Sequence, residues 1–290
     1  MPALDTRHRL RIADVRRRFD QAASGFDAAD FVHTVTRDGL FERMAPAVID
    51  ARVVLDLGCA TGSATHTLAK RFRGATILAV DLSLPMLELC RAKQGWFSKT
   101  SAVQADASAL PFADQSVDVV FANLLLPWVN EPAEVTLEVS RVLRKDGLFV
   151  FASLGPDSLL EIRNAWAGVD DCSHVNRFLD MHDVGDLMVR AGLSDPVLDV
   201  DRLTVSYKDA DDLFRDLTAA GARNSLQNRN RSLVGRQRFG AMRQRLENTG
   251  SDGTIELDLE LVYGHCWGGR PPLPEGDVRI DASAIAVRKR

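Results

Sequence analysis

From residue 52 the chain repeats one alternation. A short run of β-branched and aliphatic residues is followed by a break of small or polar residues, then by apolar positions three and four apart. The runs VVLDL (53–57), ATILAV (75–80), VDVVFA (117–122) and LFVFAS (148–153) read as strands. The stretches 65–72, 85–93 and 133–143 between them have helical spacing. Strand–helix alternation at this interval predicts a parallel sheet covered by helices on both faces. The right-handedness of crossovers leaves an open, doubly wound α/β sheet as the simplest topology.

Outside this block the pattern loosens. Upstream, 7–24 and 41–49 read as helices. Downstream, 180–191 reads as a helix, 196–207 as a strand, 209–220 and 235–247 as helices, and 255–266 as a long alternating strand. The last two strands are expected to pair as an antiparallel edge with a helical insertion between them. This divides the chain into an N-terminal helical lid (1–50) and a main domain (51–290), with helical insertions at about 155–180 and 209–250 that complete a lid over the sheet's C-terminal edge.

With 46% hydrophobic and 26% charged residues among 290, the chain has material for a sizeable core, which excludes wholesale disorder. The longest apolar stretch, around 117–129, is interrupted by Asn123 and Pro127 and falls short of a bilayer span. No apolar h-region follows the basic N-terminus, so a cytosolic protein is expected. Cys59, Cys90, Cys172 and Cys266 lie far apart with no CxxC pair, which predicts reduced thiols and no metal site. The net charge of −4 conceals two basic segments. One holds Arg7, Arg9, Arg11, Arg16, Arg17 and Arg18; the other, 223–245, holds Arg223, Arg229, Arg231, Arg236, Arg238, Arg243 and Arg245 and no acid. Local basicity on an acidic chain points to an anionic partner.

The strongest chemical signal is LDLGCATG at 55–62. A strand ends near Asp56, glycines at 58 and 62 let backbone approach a ligand, and a helix N-terminus follows. This much fits a dinucleotide as well as any other nucleoside cofactor. Asp81 at the end of the second strand stands where an acid takes ribose hydroxyls, and Asp106 follows the third strand, where a carboxylate either meets an adenine amino group or caps a turn. Three acids at three successive strand ends, with no diphosphate-binding glycine pair and no P-loop, suit a cationic, phosphate-free nucleoside; S-adenosylmethionine meets that description.

Residues 52–153 resemble the class I S-adenosylmethionine-dependent methyltransferase core, carried by VVLDLGCATG, VDLSLPMLELCRAK, DASALPFADQSVDVVFA and EVSRVLRKDGLFVFA. The resemblance implies a Rossmann-like, mostly parallel seven-stranded sheet. It also implies Gly58 and Gly62 along the cofactor's methionine part, Asp81 on the ribose, Leu82 and Met86 flanking adenine, and Asp106 and Ala107 at its edge. Asn123 would approach the sulfonium and the methyl acceptor, and Trp128 either lines the acceptor channel or packs under the lid. Ala60 departs from the glycine usual in that turn; a backbone with φ < 0 would tolerate the extra methyl, and a retained site is expected.

The flanks RRFDQAASGFDAAD (17–30), 154–188 with LLEIRNAW and HVNRF, DLTAAGARNSL (216–226) and VYGHCWGG (262–269) resemble the malonyl-[acyl-carrier protein] O-methyltransferases, carboxyl-capping enzymes of biotin synthesis. Phe26 stands where tyrosine is common. The implied reaction moves a methyl group to a carboxylate already ionised at neutral pH, so alignment rather than a general base is required. Arg177 is the first choice to hold that carboxylate, then Arg163, with His174 as neighbour; a structural ion pair is the alternative for Arg177. His265 and Trp267 read as a hinge rather than as catalytic groups. The 223–245 segment either docks an acidic acyl-carrier protein, forms a solvated helix face, or grips RNA, the last weakened by Phe239 being its one aromatic. The same core also resembles arginine hydroxylase-like assembly factors. Three further readings are a methyltransferase acting on another small carboxylate, a nucleic-acid methyltransferase and a non-catalytic cofactor-binding scaffold.

Overall fold

The structure, a computed structural model, describes residues 9–95, 98–229, 235–247 and 253–269. Seven strands form one sheet: β1 (Val53–Leu57), β2 (Thr76–Asp81), β3 (Thr100–Gln104), β4 (Val117–Asn123), β5 (Leu143–Leu154), β6 (Ser194–Tyr207) and β7 (Ile255–Trp267). Their order is β3-β2-β1-β4-β5-β7-β6, with the first five mutually parallel and β7 antiparallel to both neighbours. The expected α/β class and the antiparallel edge are both present. Chain order reverses between β1 and β4, the switch point at which open α/β sheets leave a ligand crevice beyond their C-terminal ends.

Both faces of the central strands β1, β4 and β5 are buried, which is why these read as nearly unbroken apolar runs. Along β5, Phe149 and Phe151 enter one core layer, while Leu148, Val150 and Ala152 enter the other. The first layer is closed by α5 (Pro132–Val142) and α7 (Met181–Arg190), through Val135, Val139, Val184 and Met188. The second is closed by α2 (Phe31–Met44) and α3 (Ser63–Arg71), through Leu40, Met44 and Leu68. Helix α4 (Leu84–Ala92) is capped by Ser83, whose Oγ accepts from the Met86 amide at 3.4 Å.

One element differs from expectation. The helix expected at 41–49 is instead α2, ending at Met44. Ala45 is still helical, but Pro46 has no backbone N–H to continue the hydrogen-bond ladder, which stops α2 early. Its buried stripe, Thr36, Leu40 and Met44, begins with a polar residue and therefore escaped an apolar count. In the 155–180 insertion a helix, α6 (Leu160–Ala167), packs on α9 (Arg236–Leu246) and beside α8 (Ala210–Ala219) in a separate small core that includes Trp166, Leu213 and Met242.

The N-terminal segment is bound to the crevice side. Helix α1 (Ile12–Ala22) follows a backbone bridge between Leu10 and Leu226. Asn130, on the loop after β4, grips the same segment twice: its Oδ1 accepts from Leu10 N at 2.7 Å and its Nδ2 donates to Leu10 O at 3.0 Å. Asp14, buried, accepts from Arg229 at 2.6 Å and from Arg17 at 3.2 Å. Loss of an ionic partner from a buried carboxylate is costly, so these contacts fix α1 over the sheet edge. No helix among the described residues is long and apolar enough to cross a membrane.

Candidate active site

A cavity of about 260 Å³ lies at the switch point, near the lower end of the roughly 300–1,000 Å³ of small-molecule sites. Each strand end contributes one group: Gly58 after β1, Asp81 at the end of β2, Asp106 and Ala107 just past β3, and Asn123 at the end of β4. Leu82 lines it too. Ile12, Val15 and Phe19 of α1, with Phe26 and His33, cover it from the opposite side. Trp128 lines the cavity and meets Phe19 edge-on at 5.2 Å, so it packs against α1.

Asp81 is held by the loop it serves. Its Oδ2 accepts from Ala60 N at 2.9 Å and its Oδ1 from Ser83 N at 2.8 Å. Burial pushes its pKa up, and the backbone amides oppose that rise. Since a carboxylate has about four acceptor positions, two remain for a ligand. Asp106 is exposed; its Oδ1 accepts from the amide and hydroxyl of Ser108 at 3.0 and 2.8 Å, which makes the turn-capping half of its expected role visible.

Other expected cofactor residues lie behind the wall. Asp56 is buried and does not line the cavity; Thr65 Oγ1 donates to it at 2.5 Å from within α3. Gly62 precedes α3 with φ of 86° and rests on Cys90. Met86 is buried against Ala22, Ala23 and Phe26, so it seats the N-terminal segment on α4 rather than facing the cavity. Ala60 has φ of +46°, contrary to the negative φ expected there: the turn keeps its glycine-type conformation around an alanine.

Burial raises the Asp56 pKa to about 7, against an ordinary 3.8. The folded chain therefore keeps a proton that the unfolded chain loses from about pH 4 upward. This group makes stability fall as pH rises from about 4 to about 7, by at most about 1.4 kcal/mol per pH unit. Asp56→Asn should abolish that slope. Urea midpoints at pH 5 and pH 7.5 should converge on the variant's favour at the higher pH; an identical wild-type-to-variant difference at both would contradict it.

The three expected acceptor residues are not brought to the cavity. The Arg163 guanidinium donates to the carbonyls of Pro156 (3.0 Å) and Asn176 (3.3 Å), within its own insertion. His174 stacks on Trp166 with centroids 3.7 Å apart and meets Asp170 at 2.8 Å. Both side chains are spent on holding the insertion together. Arg177 is exposed and lines a smaller recess, about 60 Å³, with Arg9, Asn130 and Asn176; Arg9 and Asn130 also line the main cavity.

Sequence reasoning missed four contributors. Asp27 receives a hydrogen bond from Thr61 Oγ1 and pairs with Lys93 at 2.6 Å, pinning the segment before α2 to the glycine-rich turn. His33 and the arginines Arg9 and Arg16 line the cavity. The FDAAD stretch was visible as a motif, but only folding shows that Asp27 reaches Thr61.

The 223–245 segment is mixed. Arg223 lies over the Phe214 ring at 5.6 Å, Arg229 is paired with Asp14, and Arg243 with Asp211 at 2.8 Å. Arg236, Arg238 and Arg245 are exposed on α9, with no acid in ion-pair contact among the described residues. Arg231, like Arg7, lies outside the described residues.

Against known proteins, a methyltransferase domain family matches residues 55–151. A malonyl-[acyl-carrier protein] O-methyltransferase of Halorhodospira halophila is 40% identical, covering 95% of this chain and 96% of its own. One of Gallionella capsiferriformans is 36% identical, over 94% and 97%. Among solved structures, a putative methyltransferase from Bacillus halodurans superposes with a TM-score of 0.57 at 17% identity, over 82% of this chain and 99% of its own.

Proposed function

The chain belongs to the malonyl-[acyl-carrier protein] O-methyltransferase family, and from that premise we propose that it methylates the free carboxylate of malonyl-[acyl-carrier protein] with S-adenosylmethionine, giving the carboxyl-capped thioester that primes biotin synthesis. The observation that carries the reading is the cavity at the switch point, where Asp81 has acceptor capacity left beside a glycine-rich turn.

The donor set fits this cofactor. Asp81, Asp106, Glu131 and Glu134 line the cavity, and its basic residues, Arg9 and Arg16, come only from the N-terminal side. Among the described residues, no lysine or arginine from the turn side lines the cavity as a diphosphate would require; a sulfonium nucleoside needs none. We assign the ribose to Asp81, the adenine edge to Leu82, Asp106 and Ala107, the methionine part to the turn at Gly58, and the sulfonium side to Asn123, whose Oδ1 is buried and accepts nothing. Asp56 and Gly62 support that turn from beneath. When bound, the cofactor supplies an electrophilic methyl group that an ionised oxygen attacks without any proton transfer.

The protein's own contribution is alignment and exclusion of water. Ile12, Val15 and Phe19 close the cavity as part of an N-terminal lid over the main domain. Arg177 and Arg9, on the adjoining recess, guide the anionic acyl group inward, while Arg163 and His174 hold the insertion's shape. Incubation with methyl-labelled cofactor and malonyl-[acyl-carrier protein] should give a base-labile labelled ester; its absence, with both reagents intact, rejects the function.

The acyl-carrier protein is the macromolecular partner, and we place its docking on the exposed arginines of α9. Reversing Arg236 and Arg238 to glutamate should raise KM for the malonyl carrier by roughly tenfold at low salt, with the gap closing at high salt and cofactor affinity unchanged. An unaltered KM across the salt series would leave this helix face as merely solvated.

A further inference from the structure

Two residues that line the cavity each hold a buried polar atom with nothing to bond. His33 Nδ1 and Asn123 Oδ1 are both buried without a partner among the described residues. They belong to one assembly, because Asn123 Nδ2 donates to the His33 carbonyl at 2.9 Å. That bond joins α2 to the end of β4, where Asn123 closes the strand. The imidazole is also braced by Phe26, edge-on at 4.9 Å, and both rings line the cavity. A buried polar atom left unpaired costs about 1–3 kcal/mol, so two such atoms in side chains that line one ligand cavity point to a ligand.

We propose that His33 is the acceptor-positioning group: its imidazole donates an N–H to the malonyl carboxylate oxygen that is not methylated, beside the Asn123 carboxamide. This deepens the reading above and rests on it. Methylation forms a bond from the other carboxylate oxygen to the methyl carbon as the carbon–sulfur pair returns to sulfur, and no proton leaves His33.

The environment selects the right form of this group. Burial, with Arg37 nearby, pushes the imidazole down to about 4, so the ring is uncharged at neutral pH. An uncharged donor orients the carboxylate without cancelling its nucleophilicity. A cation here would also repel a sulfonium beside Asn123. His33 lines the cavity, whereas Arg163 and Arg177 do not.

The test compares His33→Phe, which keeps a flat ring against Phe26, with His33→Gln, which restores a donor. Wild-type protein is first shown to esterify malonyl-[acyl-carrier protein]; a wild type that makes no ester overturns the functional reading and this proposal with it. Given that ester, His33→Phe should lose about 10- to 100-fold in turnover, the value of one hydrogen bond to a charged group, with cofactor Kd by calorimetry within about twofold. His33→Gln should recover most of the rate. Independently, the imidazole nitrogen resonance of ¹⁵N-labelled wild type, with S-adenosylhomocysteine bound, should move on adding malonyl-[acyl-carrier protein] and stay put with the acetyl form, which has no carboxylate. Turnover of His33→Phe within twofold of wild type, a parallel loss of cofactor affinity in both variants, or an equal resonance shift with acetyl carrier overturns the assignment.

Discussion

Replacing Asp81 by alanine is expected to weaken S-adenosylmethionine binding by at least about 100-fold while leaving a folded protein. Two hydroxyl-to-carboxylate bonds at about 1.5–3 kcal/mol each set that scale, since each 1.4 kcal/mol is tenfold in affinity. The same carboxylate fixes the turn, because Ala60 N and Ser83 N both donate to it. Alanine therefore removes the ligand's partners and also leaves two backbone donors unpaired at the cavity floor. Asparagine is no gentler, since its NH₂ would face one of those N–H groups. Calorimetric titration checks the prediction, and S-adenosylhomocysteine is the useful second ligand. A ribose contact is indifferent to charge at sulfur, so both ligands should lose affinity by the same factor. Loss confined to the sulfonium form would mean that Asp81 acts as a distant counter-charge, and affinity within threefold of wild type would remove the ribose assignment.

The sheet and the turn were legible in the chain because both are local. Parallel strands covered on two faces must be apolar throughout, as in VVLDL and VDVVFA, and the turn's left-handed positions at 58 and 62 call for glycine. What sequence could not supply was which side of an element faces the cavity. Met86 follows a strand-end acid in the expected motif, yet its position on α4 turns it toward Phe26. Helix α2 hid behind Thr36, whose hydroxyl is satisfied by the carbonyl of Val32 at 2.9 Å and so can occupy a core stripe. With that helix misplaced, His33 carried no signal. Arg163 and His174 looked like ligands for an anion because they lie in the flank that carries the family resemblance and a carboxylate needs such a partner. Only the packing of α6 against α9 shows that Pro156, Asn176, Asp170 and Trp166 claim them first.

The largest stability effect is expected at Gly62, and Ala60 two residues earlier should respond in the opposite sense. Gly62→Ala places a methyl 2.5 Å from Cys90 Sγ and 3.2 Å from the Cys90 Cα, at a φ of 86°. Left-handed backbone costs an alanine about 1–2 kcal/mol, and forcing a methyl into a packed contact adds about 1–3. The sum, about 2–5 kcal/mol, is a large share of a typical domain's 5–15. It falls where α3 and α4 meet under the cofactor turn, so binding should be lost along with stability. Ala60 already carries the left-handed penalty at φ of +46°. Ala60→Gly releases that strain, about 1–2 kcal/mol, but loses about 0.5–1 kcal/mol to glycine's freedom in the unfolded chain, so a gain of up to about 1.5 kcal/mol is expected. Urea unfolding reads both. The steric and conformational parts of the Gly62 effect separate in a double-mutant cycle with Cys90→Ala. Removing the sulfur takes away the nearest atom, but the Cys90 Cβ, 3.1 Å away, and the positive φ remain. The double variant should therefore recover part of the loss and not all of it. Strict additivity would show that Cys90 never opposed the methyl, and that the turn's conformation alone requires glycine at this position.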